Sequence, residues 1–327
     1  MSQSSIATPP GGRDEYSTRL WIAGLSDDDV IRLHSNSYGP IYANMLLMFS
    51  QTRPLGAIKK LAIQCTRWAI WEREAVERHI LSLAEAASLN TPAICLKGWD
   101  PILLHSLLQR KKGLILCSIR MGPYRFLPLE AALQGLNVWT PMNPRGCASI
   151  NSKLDFLRQR LSVSAAGQNS GAPFFAENVL RWKLLGHDEP GVSGQLLTAL
   201  KRNEVVVLFI DAPSRFEHRW VPMQIPIQFF GMQTRVDDLI ARLAWHSGAP
   251  VLPTVAVMEG NEPGRILYGA PWLASEIRRP GSEQDFTFDI TSALYSFLEG
   301  QIKLYPEQWL GVRMLRTWWL PEIPSLN

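Results

Sequence analysis

Residues 113–130, GLILCSIRMGPYRFLPLE, constrain what this chain can fold into more than any other stretch. Positions 114–119 form a short, nearly uninterrupted apolar run, the pattern of a strand covered on both faces. Gly122-Pro123 ends it, because a proline cannot donate to a strand ladder, and apolar residues at helical spacing follow. Strand, turn and helix in this order build a parallel sheet, and polar groups at such strand ends face the crevice where α/β proteins bind ligands. Strand alternation places Ser118 and Arg120 on one side and Cys117 on the other. Arg120, with Arg125 five residues on, is what this strand presents to a cleft.

The same grammar recurs downstream. A strand is predicted at 93–96, a helix at 101–110, a strand at 137–139 and a helix at 152–161. Residues 164–174 are small and polar and read as a loop. A helix follows at 194–202, then a strongly apolar strand at 204–210 with Asp211 at its end, a helix at 239–247, and another buried strand entered through 248–254. Upstream, Ser26 before three aspartates is an N-cap with acids in the first turn, opening a helix toward Tyr38. Gly39-Pro40 should interrupt it before a second apolar piece at 41–49. The longest helical pattern spans 55–87, with Ile58, Leu61, Ala62, Cys65, Trp68 and Ala69 near a 3.6-residue period. The predicted fold is α/β, a mixed, mostly parallel central sheet flanked by helices, with an N-terminal helical segment. Residues 1–18 read as a disordered tail, 19–92 as the helical segment and 93–327 as the α/β domain.

At 46% hydrophobic and 19% charged, the 327 residues suffice for a sizeable core. A net charge of +4 without a basic run gives no reason to invoke nucleic acid; it suits an acidic carrier protein or an anionic membrane face. Cys65, Cys95, Cys117 and Cys147 show no metal-ligand spacing, which favours reduced buried thiols and a cytoplasmic location. The tail lacks the apolar centre of a signal peptide, and no apolar run reaches the roughly 20 residues that span a bilayer. Trp68 and Trp71, near Lys59, Lys60 and Arg67, keep a peripheral contact with the inner membrane face open, although a core-packing helix is the favoured reading of this segment.

Several segments, in order, resemble one family. They are Ser118-Ile-Arg120-Met-Gly122-Pro-Tyr124-Arg125, Thr140-Pro-Met-Asn-Pro144, the run from Leu200 to Asp211, the block ending in Phe229-Phe230-Gly231, Gly248-Ala-Pro-Val-Leu-Pro-Thr254, and Tyr305-Pro-Glu-Gln-Trp309. Across 93–319 the chain resembles the bacterial lipid A acyltransferases, the late lauroyl/myristoyl type of the lysophospholipid acyltransferase superfamily. The resemblance implies a glycerolipid acyltransferase-like fold and acyl transfer from a thioester co-substrate, acyl carrier protein or acyl-CoA, with no bound cofactor and no metal. In that family the strand ends in a His, followed after four residues by Glu or Asp; here Arg120 and Arg125 stand at those places. An arginine cannot act as a base in a protein. The family's apolar membrane-anchoring helix has no counterpart in the sequence, which points away from lipid A as the acceptor.

The catalytic candidates are Arg120, Arg125, Asp211 and His218. Asp211 suits either a turn or a catalytic role. His218 lies on the loop after Asp211, and His187-Asp188-Glu189 offers a second polar loop. The two arginines either pair with Asp211 or Glu130 and fill a vacated base site, or hold a carboxylate or phosphate in their guanidinium forks. A cation in a first helical turn is opposed by roughly 0.3–1 kcal/mol, so an anion should lie within hydrogen-bonding distance of one of them. The resemblance gives substrate lining to Ser118, Gly122, Tyr124, Phe229, Phe230 and Gly231; core packing is the other reading of the phenylalanines. Trp309, Trp318 and Trp319 are expected to close the bottom of the core. Two functions follow: an atypical acyltransferase acting on a hydroxyl or amine, or an inactive acyl-chain or carrier-protein binding homologue within a biosynthetic assembly.

Overall fold

The computed structural model describes residues 24–85, 96–142, 178–186, 189–211, 224–259, 264–273 and 282–315, with scattered positions between 148 and 159. Its elements in chain order are α1 (Asp27–Leu33), α2 (Ser35–Phe49), α3 (Leu55–Glu85), β1 (Leu96–Lys97), α4 (Pro101–Leu108), β2 (Leu114–Ser118), α5 (Phe126–Leu133), β3 (Val138–Met142) and β4 (Trp182–Gly186). There follow α6 (Val192–Lys201), β5 (Val205–Phe209), β6 (Gln224–Phe229), β7 (Met232–Asp237), α7 (Leu239–Ser247), β8 (Val251–Val257), β9 (Gly264–Tyr268) and α8 (Glu283–Leu304). Two short 3-10 turns, Pro306–Gln308 and Leu310–Met314, close the described chain.

Seven strands form the central sheet in the order β1-β9-β8-β2-β5-β3-β4, while β6 and β7 make a separate hairpin. β2 lies between β5 and β8, parallel to both, and β3 and β4 extend the parallel part. β9 runs antiparallel to β8, which makes the sheet mixed. The pleat of β2 explains its apolar run. Leu114 and Leu116 enter the cluster formed with α4 and α5. Ile115 and Cys117 enter the cluster on the other face with α6, α7 and α8. Past the strand, Ile119 and Met121 join a third cluster at the strand's C-terminal end, shared with α2, α3 and the hairpin. Each strand residue is buried, so no polar alternation is left to read.

Ser26 caps α1 as expected, its Oγ accepting the Asp29 N–H at 3.1 Å. The predicted break at Gly39-Pro40 does not occur: α2 runs through Pro40, and the chain breaks at His34 instead. Pro40 cannot donate to the Asn36 carbonyl, but Asn36, Gly39 and Pro40 are all exposed, so that carbonyl is open to solvent. β3 likewise extends past Trp139 through Pro141. Val138 donates to Arg181 on the β4 side, so Pro141 turns its missing N–H toward β5, where pairing has already stopped after Trp139. β4, β9 and α8 are further elements that the sequence reading did not place. The strand expected at 93–96 is described only from Leu96, and most of the helix expected at 152–161, with the loop at 164–174, lies outside the described residues. No helix among the described residues is long and apolar enough to cross a membrane.

Candidate active site at the end of the second strand

β2 and β5 run side by side and end together, which brings Arg120 and Asp211 into contact. Asp211 is buried. Its carboxylate accepts the Arg120 backbone N–H at 2.9 Å (Oδ1) and 3.0 Å (Oδ2), and the indole Nε1–H of Trp309 at 2.9 Å. The Arg120 guanidinium donates through Nη2 to the Asp211 carbonyl oxygen, while its Nε stands 3.6 Å from Oδ2, an ion-pair distance. Burial pushes the Asp211 carboxyl up, against the pull of the Arg120 charge, the Arg120 N–H and the Trp309 indole. The anion expected beside one of the arginines is therefore an internal acid. The backbone of Arg120, not its guanidinium, makes the direct hydrogen bonds to that carboxylate.

The C-terminal Tyr305-Pro-Glu-Gln-Trp309 block sits at this same strand end and explains its residue types. Gln308 clamps the backbone just past β8, accepting the Met258 N–H at 2.9 Å and donating to the Met258 carbonyl at 2.7 Å. Gly122 donates to Gln308 O and Leu310 donates to Arg120 O, so two bonds pin the chain after β2 to the C-terminal segment along one edge. Gly122 needs to be glycine: its φ is +51°, and a Cβ would lie 2.5 Å from the Ala256 carbonyl oxygen. Gly311 has no room either, since a Cβ there would run into Asp211 Oδ2 and Trp309 Nε1. Trp309 thus does not close the bottom of the core, as expected from the sequence. It bridges the C-terminal chain to Asp211 at the top of the sheet. Trp318 and Trp319 lie outside the described residues.

The remaining candidates fall into place around this centre. Ser118 is fully buried, its hydroxyl donating to Ile119 O at 3.3 Å. Tyr124 is buried edge-on to Phe209, and its hydroxyl accepts from Arg125 Nε at 3.1 Å. Arg125 is the N-cap of α5 rather than a residue of its first turn, with its guanidinium 5.6 Å from the Tyr124 ring centre. Glu130 is buried in α5. Phe230 and Gly231, at φ +50° and +72°, form the two-residue turn of the β6–β7 hairpin, in which both positions require positive φ. A phenylalanine is strained there. It is held by its N–H donating to Glu299 Oε2 at 2.7 Å, by stacking near Trp309 and by the edge of Phe49. Phe229 is buried against Tyr295 and Trp309. His218 and the His187-Asp188 pair lie outside the described residues; Glu189 accepts the Gly186 N–H.

Four groups at or beside this end were not singled out as site residues from the sequence. Trp309 and Gln308 were legible only as part of a block. Tyr295 of α8 donates to the Ile210 carbonyl at 3.1 Å; burial and the charges of Asp237 and Asp211 raise its pKa well above the usual phenol value. Asp237 ends β7, with Oδ1 accepting the Leu239 N–H at 2.7 Å. Its only sequence signal was an acid closing an alternating strand. The thiols of Cys65 and Cys117 are buried, and burial pushes both up, so neither is a nucleophile at neutral pH. No cluster able to hold a metal ion occurs among the described residues.

No curated protein matches the chain. Residues 185–319 match the family of bacterial lipid A biosynthesis acyltransferases. The matched region carries β5 with Asp211, the Phe229-Phe230-Gly231 hairpin, β8 and Trp309, which are the neighbours that hold the end of β2. Over this region the chain is similar to the bacterial lipid A biosynthesis acyltransferases.

Proposed function

We propose that the protein transfers a fatty acyl group from a thioester, carried by acyl carrier protein or coenzyme A, to a hydroxyl or amine of an acceptor other than lipid A. The observation that supports this reading is the fixed, partly exposed guanidinium of Arg120 at the strand end, tied to the Asp211 carbonyl. A preorganised cation is suited to the oxyanion that forms when a nucleophile adds to a thioester carbonyl. An amine acceptor needs less help than a hydroxyl, since its free base is already a strong nucleophile. The site works in the cytoplasm on this reading, with peripheral contact at the inner membrane face. The test is incubation of purified protein with labelled acyl thioesters of both carriers and panels of alcohols and amines, with products identified by mass spectrometry. Transfer that is lost in Arg120→Ala supports the reading. No transfer above background with any pair refutes it.

The engagement of Arg120 with Asp211 also favours a second reading, in which the protein binds an acyl chain or its carrier without turnover as a partner in a biosynthetic assembly. It predicts stoichiometric acyl binding with no product, and some activity regained in Arg120→His with Arg125→Glu. Turnover by the unaltered protein rules it out.

A further inference from the structure

Acyl transfer to a hydroxyl or amine needs somewhere for the acceptor's proton to go, and among the described residues the groups nearest Arg120 cannot take it. Asp211 is sealed in, with both oxygens filled by the Arg120 N–H and one also by the Trp309 indole. Cys117 and Tyr295 are buried, and both hold their protons. Asp237 differs from all of these. α7 leads from Asp237 back to the start of β8, which is parallel to β2. The junction of β7 and α7 therefore lies at the same edge of the sheet as the ends of β2 and β5. Tyr295 links the two places: its hydroxyl holds Ile210 O, and the charges of Asp237 and Asp211 both bear on it. Asp237 is only partly buried, with Oδ1 anchored by the Leu239 N–H and no hydrogen bond to Oδ2 among the described residues.

We propose that Asp237 is the general base of the reaction, accepting the acceptor's proton on Oδ2. This rests on the acyltransferase reading above. The acceptor's lone pair forms the new bond to the thioester carbonyl carbon while its proton passes to Asp237. The carbon–sulfur bond then breaks, and the same proton leaves with the thiolate. Arg120 bears the oxyanion, and the Leu239 N–H keeps the carboxylate aimed. The groups that face Asp237 are Asp238 beside it, Arg242 one turn into α7 and Tyr295 on α8. Burial, with the Asp238 charge, pushes the Asp237 carboxyl up to about 7, against the Leu239 N–H and Arg242. A base so placed is both ionised and proton-seeking near neutral pH.

The alternative is that Asp237 merely caps α7, and Asp237→Asn separates the two roles because the amide oxygen still accepts from Leu239. For a base, kcat falls on the order of 100-fold or more, KM stays close to that of the unaltered protein, and the rise of kcat/KM through pH 7 disappears. Turnover by Asp237→Asn within about threefold of the unaltered protein, with the same pH limb, overturns the base and leaves the transferase standing. Should the variant not fold, the unaltered protein decides: a kcat/KM flat from pH 6 to about 8.5 overturns the proposal. No transfer by the unaltered protein overturns the function and the base together.

Discussion

Replacing Asp211 by Asn is the sharpest test of how the strand end is held. The carboxylate accepts two buried donors, the Arg120 N–H and the Trp309 indole, at 2.9–3.0 Å, and pairs with the Arg120 guanidinium at 3.6 Å. Hydrogen bonds to a charged group contribute about 1.5–3 kcal/mol each. An asparagine keeps one acceptor oxygen; at the Oδ2 position it can serve both the Trp309 indole and the Arg120 N–H, but its own N–H₂ then replaces Oδ1, 2.9 Å from the Arg120 N–H, donor against donor. Losing one charge-assisted bond and the ion pair sets a gross cost of about 3–5 kcal/mol. Because burial already disfavours the ionised Asp211, relief of that desolvation returns part of it, leaving a net loss of roughly 2–3 kcal/mol. Urea denaturation followed by tryptophan fluorescence measures the change. Trp309→Phe removes the same charge-assisted bond to Asp211 that Asp211→Asn weakens, so the double variant should be more stable than the sum of the single losses by about 1 kcal/mol. If Asp211→Asn loses less than about 0.5 kcal/mol, the range of ordinary surface changes, Asp211 does not hold the strand end.

Three further outcomes follow from the same geometry. Gly311→Ala forces a Cβ into Asp211 Oδ2 and Trp309 Nε1 and should cost about 1–3 kcal/mol, seen as a lower melting temperature by circular dichroism. Gln308→Leu removes both bonds to Met258, at 2.9 and 2.7 Å, and should lower the urea midpoint by the equivalent of about 2–4 kcal/mol; an unchanged midpoint would show that the clamp is dispensable. Asp237 has a folded pKa of about 7 against an ordinary 3.8, so the native state binds its proton more tightly than the unfolded chain does. Its contribution to stability should therefore fall as pH rises from about 4 to about 7 and stay flat above. Asp237→Asn should be the more stable protein at pH 8 by roughly 1–3 kcal/mol, below the ~4 kcal/mol ceiling of the full shift because the group keeps some solvent access. The difference from the unaltered protein should close as pH falls to about 4 in paired thermal melts.

Strands β2, β5 and β8 were legible because each is buried on both faces and must be apolar throughout. The α7 boundaries were equally plain, since Gly248 stops the helix in a left-handed conformation. Pro40 does not break its helix because the Asn36 carbonyl it leaves bare is exposed, and β3 runs through Pro141 because no partner waits on its β5 side.

The placement of Arg120 and Asp211 at strand ends is a property of the sequence alone, because an apolar run of fixed length has only one end at which a polar side chain can sit. Their contact, and the arrival of Trp309 from 98 residues away in the chain to meet Asp211, are properties of tertiary structure. They depend on which strands lie side by side, and parallel neighbours here are separated by whole helices rather than by a turn. The same holds for Asp237. Its sequence shows a carboxylate after a strand, but its raised pKa comes from burial and from Asp238, and burial exists only once the hairpin, α7 and α8 have packed together.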